Sequence, residues 1–149
     1  MYKRILVPFD GSKRAETILP YVENLALVEK AKVIFIQVIQ PYSIPVDAYI
    51  DLYLQGYENE MNKAEMYLRC LTDKFSEKNI ESYIRIENGP VVEKIIDVSR
   101  AEHADIIAIA CHGISGLRRV FYGSTAAGLL QKVDRPLLLI RSRFLGKER

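Results

Sequence analysis

The chain has 149 residues, enough for one domain (1–149) with a sizeable core, and its 49% hydrophobic and 27% charged residues are an ordinary globular composition. Twenty-one basic against nineteen acidic side chains leave a net charge of +2, too balanced to argue for a nucleic-acid partner. No apolar run approaches the ~18 residues of a membrane span, no signal-peptide pattern precedes Lys3 and Arg4, and two cysteines, Cys70 and Cys111, are too few for a disulfide scaffold, so a cytoplasmic protein is expected.

Ile5 to Phe9 is a short apolar run and reads as a buried strand. It ends at Asp10-Gly11-Ser12, a turn with a natural helix N-cap in Ser12. Ala15, Ile18, Leu19, Val22, Leu25 and Ala26 then recur at helical spacing. Pro20 interrupts them, which predicts a kink or loosely bonded first turns. Lys32 to Ile39 is a second strand, and its nearly continuous apolar run suits a parallel strand covered on both faces.

Pro41 to Pro45 breaks the chain. A long helical stripe follows through Ile50, Leu54, Tyr57, Met61, Ala64, Leu68, Leu71 and Phe75, and Gly56 weakens it, so that the first part reads as a separate short helix or a mobile lid. Tyr83 to Ile86 is a third strand, less apolar and so placed near a sheet edge. Asn88-Gly89-Pro90 is a turn into a helix whose inner face is Val92, Ile95, Ile96 and Ser99. Ala104-Asp105 leads to a fourth strand, Ile106 to Ala110. A last helix from Ser124 would bury Ala127, Leu130 and Val133, and Pro136 to Ile140 is a fifth strand. Strands and helices alternate without a repeat or linker, the pattern of a parallel α/β sheet with helices on both faces. In such folds ligands sit at the carboxyl ends of strands, so Asp10, Val38 to Gln40 and Ala110 to Gly113 should share one crevice.

The stretch 106–125 organises this reading. A buried strand empties into a loop with Gly113 and Gly116 and reaches Gly123-Ser124-Thr125, where a helix begins. A helix start offers unpaired N–H groups and the positive end of the dipole, and glycine lets the backbone approach a ligand. This is a candidate cradle for the phosphates of a nucleotide. There is no Gly-x-x-x-x-Gly-Lys-Ser/Thr loop, no Gly-x-Gly-x-x-Gly turn and no Gly-x-Ser-x-Gly elbow, which argues against a P-loop NTPase, a dinucleotide-binding protein and a triad hydrolase.

These residues resemble the universal stress protein family, whose nucleotide-binding members carry Gly, two residues, Gly, nine residues, then Gly-Ser or Gly-Thr. Here Ala110-Cys111-His112-Gly113 is followed by nine residues and Gly123-Ser124. Asp10-Gly11-Ser12, the strand ending in Val38, Gly89-Pro90, Ala104-Asp105 and Pro136 match in order, and residues 41–80 match least. The resemblance implies a three-layer, doubly wound, Rossmann-like sheet of five parallel strands in the order 3-2-1-4-5. It implies ATP, or another adenine nucleotide, as ligand, with Mg²⁺ or Mn²⁺ accompanying the phosphates, and a homodimer through the last strand. By position, Asp10 would bond the ribose, Val38 would meet the adenine through its backbone and Pro8 would line the adenine pocket. Gly113, Gly123, Ser124 and Thr125 would hold the phosphates. Ala110 departs from the motif's first Gly, and its methyl would narrow the phosphate site or shift the backbone. The implied function is an ATP-binding regulatory module of the stress response. The alternatives are a slow ATP hydrolase, or a structural dimer that has lost its ligand.

Several of these residues have a plainer reading. Asp10 can cap its own turn, Ser124 and Thr125 can be simple N-caps, and Gly113 and Gly123 can be turn glycines. Arg118 and Arg119 suit phosphate by their planar fork but equally suit solvent. His112 reads as an ordinary loop histidine, Cys111 as a small buried thiol, and Tyr49, Tyr53 and Tyr57 as one packed helix face. The basic tail, Arg141, Arg143, Lys147 and Arg149, reads as a solvated terminus.

Overall fold

The computed structural model describes residues 1–41, 50–112 and 123–142. Five strands, β1 (Arg4–Phe9), β2 (Lys32–Ile39), β3 (Ser82–Asn88), β4 (Ile106–His112) and β5 (Leu137–Ser142), form one parallel sheet in the order β3-β2-β1-β4-β5. The helices are α1 (Leu19–Glu29), α2 (Ile50–Glu77), α3 (Val91–Ala101) and α4 (Gly123–Lys132). This is the α/β architecture and strand order expected from the sequence.

Alternation along the central strands separates two cores. Ile5, Val7 and Phe9 of β1 and Val33 and Phe35 of β2 pack with Val22 and Ala26 of α1 and Leu68, Leu71 and Phe75 of α2. Leu6, Ile34, Ile36, Ile107 and Ile109 point the other way, onto Ile95, Ile96 and Val98 of α3 and Leu129 of α4. A strand covered on both faces is apolar at nearly every position, which is why β1 and β2 read as nearly continuous hydrophobic runs. Phe35 anchors the first core, with Phe75 edge-on at 5.0 Å and Phe9 tilted at 5.8 Å between ring centroids.

The amino edge of the sheet is stitched by polar groups. Asp105 accepts from the backbone N–H of Lys3 (2.7 Å) and of Arg4 (2.9 Å). Arg135 donates to the carbonyls of Ser99 (2.8 Å) and Ala104 (2.7 Å). At the β3 edge, Tyr83 donates to Glu102 at 2.7 Å, while Arg85 bridges Glu102 and Glu87. The Tyr83 hydroxyl and then the Arg85 guanidinium hold the Glu102 carboxyl below its ordinary value of 4.5. Burial, followed by the Glu102 carboxylate, pushes Tyr83 up to about 12.

Several local expectations are corrected. Pro20 makes no mid-helix kink: Lys13–Ile18 is a 3-10 segment, and Pro20 falls in the first turn of α1, where its missing N–H costs nothing. α2 runs through Gly56 as one helix of 28 residues. Its buried stripe begins only at Ala64, because the first turns extend past the sheet and leave Ile50 and Leu54 64% and 52% exposed. α4 buries Ala126 and Leu129 rather than Ala127 and Leu130, and Leu130 is 49% exposed. The helix starts one residue earlier than expected, at Gly123. β4 does not end at Ala110 but continues through Cys111 and His112, because β5 pairs with it as far as Ser142.

Glu102 yields a pH test. Its folded pKa is depressed, so its contribution is present above the unfolded value of about 4.5 and is lost as pH falls through the lower folded value. Glu102→Gln should cost about 1–2 kcal/mol at pH 7 and progressively less below pH ~4, read from urea unfolding at each pH.

Candidate functional site

β1 pairs with β2 over six residues, Arg4↔Lys32 to Phe9↔Gln37, but with β4 only at Ile5↔Ile106 and Leu6↔Ile107. Two residues past that last pair stands Pro8, which has no N–H to prolong the ladder. The strands part there, at the point where strand order reverses from β1 to its neighbours. A cavity of about 160 Å³ opens between them, walled by Pro8, Phe9 and Asp10 on one side and Ile109, Ala110 and Cys111 on the other. The α4 start, Gly123, Ser124 and Thr125, closes its mouth. Asp10, Ser124 and Thr125 also face a larger crevice of about 740 Å³, which runs to Val38 at the end of β2 and to Lys63 and Tyr67 on α2.

The sequence-derived site residues are thus brought together. Pro8, Asp10, Ala110, Gly123, Ser124 and Thr125 share the smaller cavity, and Val38 joins Asp10, Ser124 and Thr125 around the larger one. Gly113, Gly116, Arg118, Arg119 and Tyr49 lie outside the described residues, as do Arg143, Lys147, Arg149 and the side chain of His112.

Each member has a local cause. Asp10 is exposed, and its Oδ1 accepts from the Ser12 N–H at 2.9 Å, so the turn-capping reading is realised. Only one carboxylate oxygen is committed to that turn. Gly11 follows with φ +84°, a left-handed conformation that the chain needs to turn out of β1. A Cβ there would also lie 3.6 Å from the Gln37 amide nitrogen. Gly123 opens α4 at φ +74°. No acidic residue occupies the first turn of α4, so nothing on the helix opposes an anion at its N–H groups. Ala110 is half-buried, and its methyl packs against the core beneath α1 and α2 while it lines the cavity. Cys111 is buried, and burial pushes its thiol above the ordinary value. Among the described residues there is no group of three or more His, Cys, Asp and Glu placed to hold a metal ion.

Two residues that sequence reasoning missed stand at the crevice. Gln37 sits on the β2 face that carries Val33 and Phe35, and its Oε1 is buried without a hydrogen-bond partner among the described residues. Tyr67 on α2 packs edge-on to Phe9 at 6.1 Å, and its hydroxyl is likewise buried and unpartnered. Burial chiefly raises the Tyr67 pKa. The Glu16 and Asp10 carboxylates add to this, although Glu16 does not reach hydrogen-bond geometry. The available signal for Gln37 was a polar residue inside an otherwise apolar strand; Tyr67 stands beside the predicted α2 stripe and carried no signal in the spacing.

Residues 1–141 match the family model described as Universal stress protein family. A universal stress protein of Methanocaldococcus jannaschii is 28% identical over 162 aligned positions, covering 96% of this chain and 97% of that protein. The solved structure of that protein superposes with a TM-score of 0.83, covering 97% of this chain and 99% of that one at 24% identity. A universal stress protein of Archaeoglobus fulgidus solved in complex with dAMP gives 0.68 at 18% identity, covering 93% of this chain and 98% of that one. Another universal stress protein, solved in complex with cAMP, gives 0.63 at 15% identity, covering 95% of this chain and 98% of that one.

The turn leaving β1 gives a direct test. Gly11→Ala should lower stability by about 1–2 kcal/mol, because an L side chain is strained at this φ. Gly11→Asn, which tolerates the left-handed region better, should lose less. Urea midpoints of the three proteins make the comparison.

Proposed function

The chain belongs to the universal stress protein family, and from that premise we propose that it binds an adenine nucleotide, ATP foremost, in the crevice at the carboxyl edge of the sheet. The observation that carries the reading is that Asp10 and the α4 start, Gly123 to Thr125, line one cavity at the split between β1 and β4. A nucleotide needs a polyanion site and a hydroxyl acceptor a few ångströms apart, with an apolar wall for the base. The N–H groups at the α4 start supply the first, Asp10 the second, and Pro8 with Val38 the third. The nucleotide complexes of the two related proteins support the choice of adenine.

In this reading the phosphates lie against Gly123, Ser124 and Thr125, continuing to Gly113. The remaining Asp10 oxygen accepts from the ribose, and the Val38 backbone meets the adenine edge. A divalent cation such as Mg²⁺ or Mn²⁺ enters with the phosphates, bound by their oxygens and water, and supplies charge neutralisation when present. The role that fits this reading is a regulatory binding module of the stress response. Binding shifts the chain between states, and a partner reads that shift.

A second reading is favoured by Ala110, which stands in the cavity where the family motif has glycine: a structural protein whose phosphate site is too narrow to fill. In both readings two copies pair through β5. It forms an open edge of the sheet and carries four half-buried aliphatic side chains, Leu137 to Ile140.

Calorimetric titration of nucleotide-free protein should show ATP binding more tightly than ADP, and ADP more tightly than AMP, with Asp10→Ala weakening ATP about tenfold or more. Absence of heat and of any thermal shift with all three contradicts the binding reading. If Ala110 merely narrows an intact site, Ala110→Gly gains affinity; if the site is lost, it gains none. Light scattering on the unaltered protein should return twice the chain mass of 17.1 kDa, and a mass of 17.1 kDa contradicts the β5 pairing.

A further inference from the structure

Gly128 stands sixth in the ten residues of α4, an interior helix position where glycine is less favourable than alanine. Its neighbour on α3 accounts for it. A Cβ built at Gly128 would lie 2.6 Å from Val92 Cγ2 and 3.3 Å from Val92 Cγ1. Carbon atoms in ordinary contact stand about 3.5–4.0 Å apart, so such a Cβ has no room. Rotation of Val92 about χ1 leaves a methyl at one of those two places, and a helical valine keeps largely to one rotamer. Gly56, inside α2, makes the contrast, since a Cβ there meets nothing within 4 Å. At Gly128 the bare backbone of α4 lies directly on a β-branched side chain of α3.

This contact joins two helices that start at the same crevice. Val91, the first residue of α3, and Ser124 and Thr125, at the start of α4, all line the larger one. The seam continues to Lys132, which donates to Glu93 at 2.8 Å, but both side chains are about half exposed and such a pair contributes little. The depth at which α4 settles against α3 therefore depends on Gly128. From Gly128 back to Gly123 is about 7.5 Å along one helix, so a displacement at the contact carries to the helix start. Restoring ordinary contact around a Cβ at position 128 takes about 1 Å. An N–H···O bond of about 2.9 Å lengthened by that amount is no longer a hydrogen bond.

We propose that Gly128 is a positioning residue for the phosphate end of the crevice. Lying on Val92, it lets α4 hold the N–H groups of Gly123 to Thr125 within bonding distance of the phosphates. This rests on the adenine-nucleotide reading above and adds a residue which that reading does not require, because Gly128 lines neither cavity. A side chain at 128 would act through α4, and a smaller side chain at 92 would make room for it.

The test is a double-mutant cycle of Gly128→Ala and Val92→Ala. It has two readouts: ATP affinity by calorimetry, and the backbone amide resonances of Gly123, Ser124 and Thr125 without nucleotide. Gly128→Ala should weaken ATP about tenfold and shift the three amides. Val92→Ala alone should bind ATP like the wild type, and the double variant should return both affinity and amides toward it. A merely structural glycine would change the urea midpoint and leave the affinity of the folded protein unchanged. Unchanged ATP affinity in Gly128→Ala, or a loss that Val92→Ala does not reverse, overturns the role. A Gly128→Ala chain that does not fold makes the contact a requirement of the fold, and overturns it too. If the wild type binds no ATP, the adenine reading falls and the amides decide alone. Shifts that return in the double variant keep Gly128 as the residue that positions the α4 start; shifts that persist there are local effects of the alanine and overturn it.

Discussion

The split between β1 and β4 is the constraint on which the site depends. β1 is the central strand of the sheet, with Ile5, Leu6 and Val7 fully buried. Burial on both faces fixes its position, and parallel pairing points its carboxyl end toward the same edge as those of β2 and β4. The ladder to β4 nevertheless ends after Leu6↔Ile107, while the ladder to β2 continues to Phe9↔Gln37. Pro8 sits where the pairing fails. The last residues of β1 therefore lean with β2, and the cavity opens on the β4 side. The chain must then reverse immediately, and Gly11 in a left-handed conformation performs that reversal beside Asp10.

The two edges of the sheet show a division of labour. At the amino edge several polar groups pair with one another: Asp105 with the Lys3 and Arg4 amides, Arg135 with two carbonyls, and Glu102 with Tyr83 and Arg85. At the carboxyl edge, among the described residues, one Asp10 oxygen accepts from the Ser12 N–H, the α4 start has no acid in its first turn, and Gln37 and Tyr67 hold buried atoms without partners. The first edge contributes stability, and the second carries the candidate site.

Much of this was legible in the sequence. The apolar run Ile5 to Phe9 and the nearly continuous one from Val33 to Ile39 suit strands covered on both sides, and the alternation of strand and helix brought Asp10, Val38 and Ala110 to one edge. What was not legible depended on neighbours. Leu130 and Leu129 fit a helical period equally well, and the start of α4 at Gly123 decided for Leu129. Ile50 and Leu54 continue the α2 stripe, but they are more than half exposed. Cys111 and His112 became strand because β5 extends to Ser142 to pair with them. Tyr67 stands beside the stripe that periodicity picks out, and its buried hydroxyl, without a partner among the described residues, is a feature that no periodicity reveals.

If the carboxyl edge grips an adenine nucleotide through the α4 start and the Asp10 turn, those two segments, far apart in sequence, must respond together. The most direct measurement is the backbone amide spectrum of ¹⁵N-labelled, nucleotide-free protein titrated with ATP. The account predicts that the largest shifts fall on Gly123, Ser124 and Thr125 and on Asp10 and Gly11, with a common saturation curve. Saturable shifts confined to other surfaces, or movement at one of the two segments without the other, would contradict it.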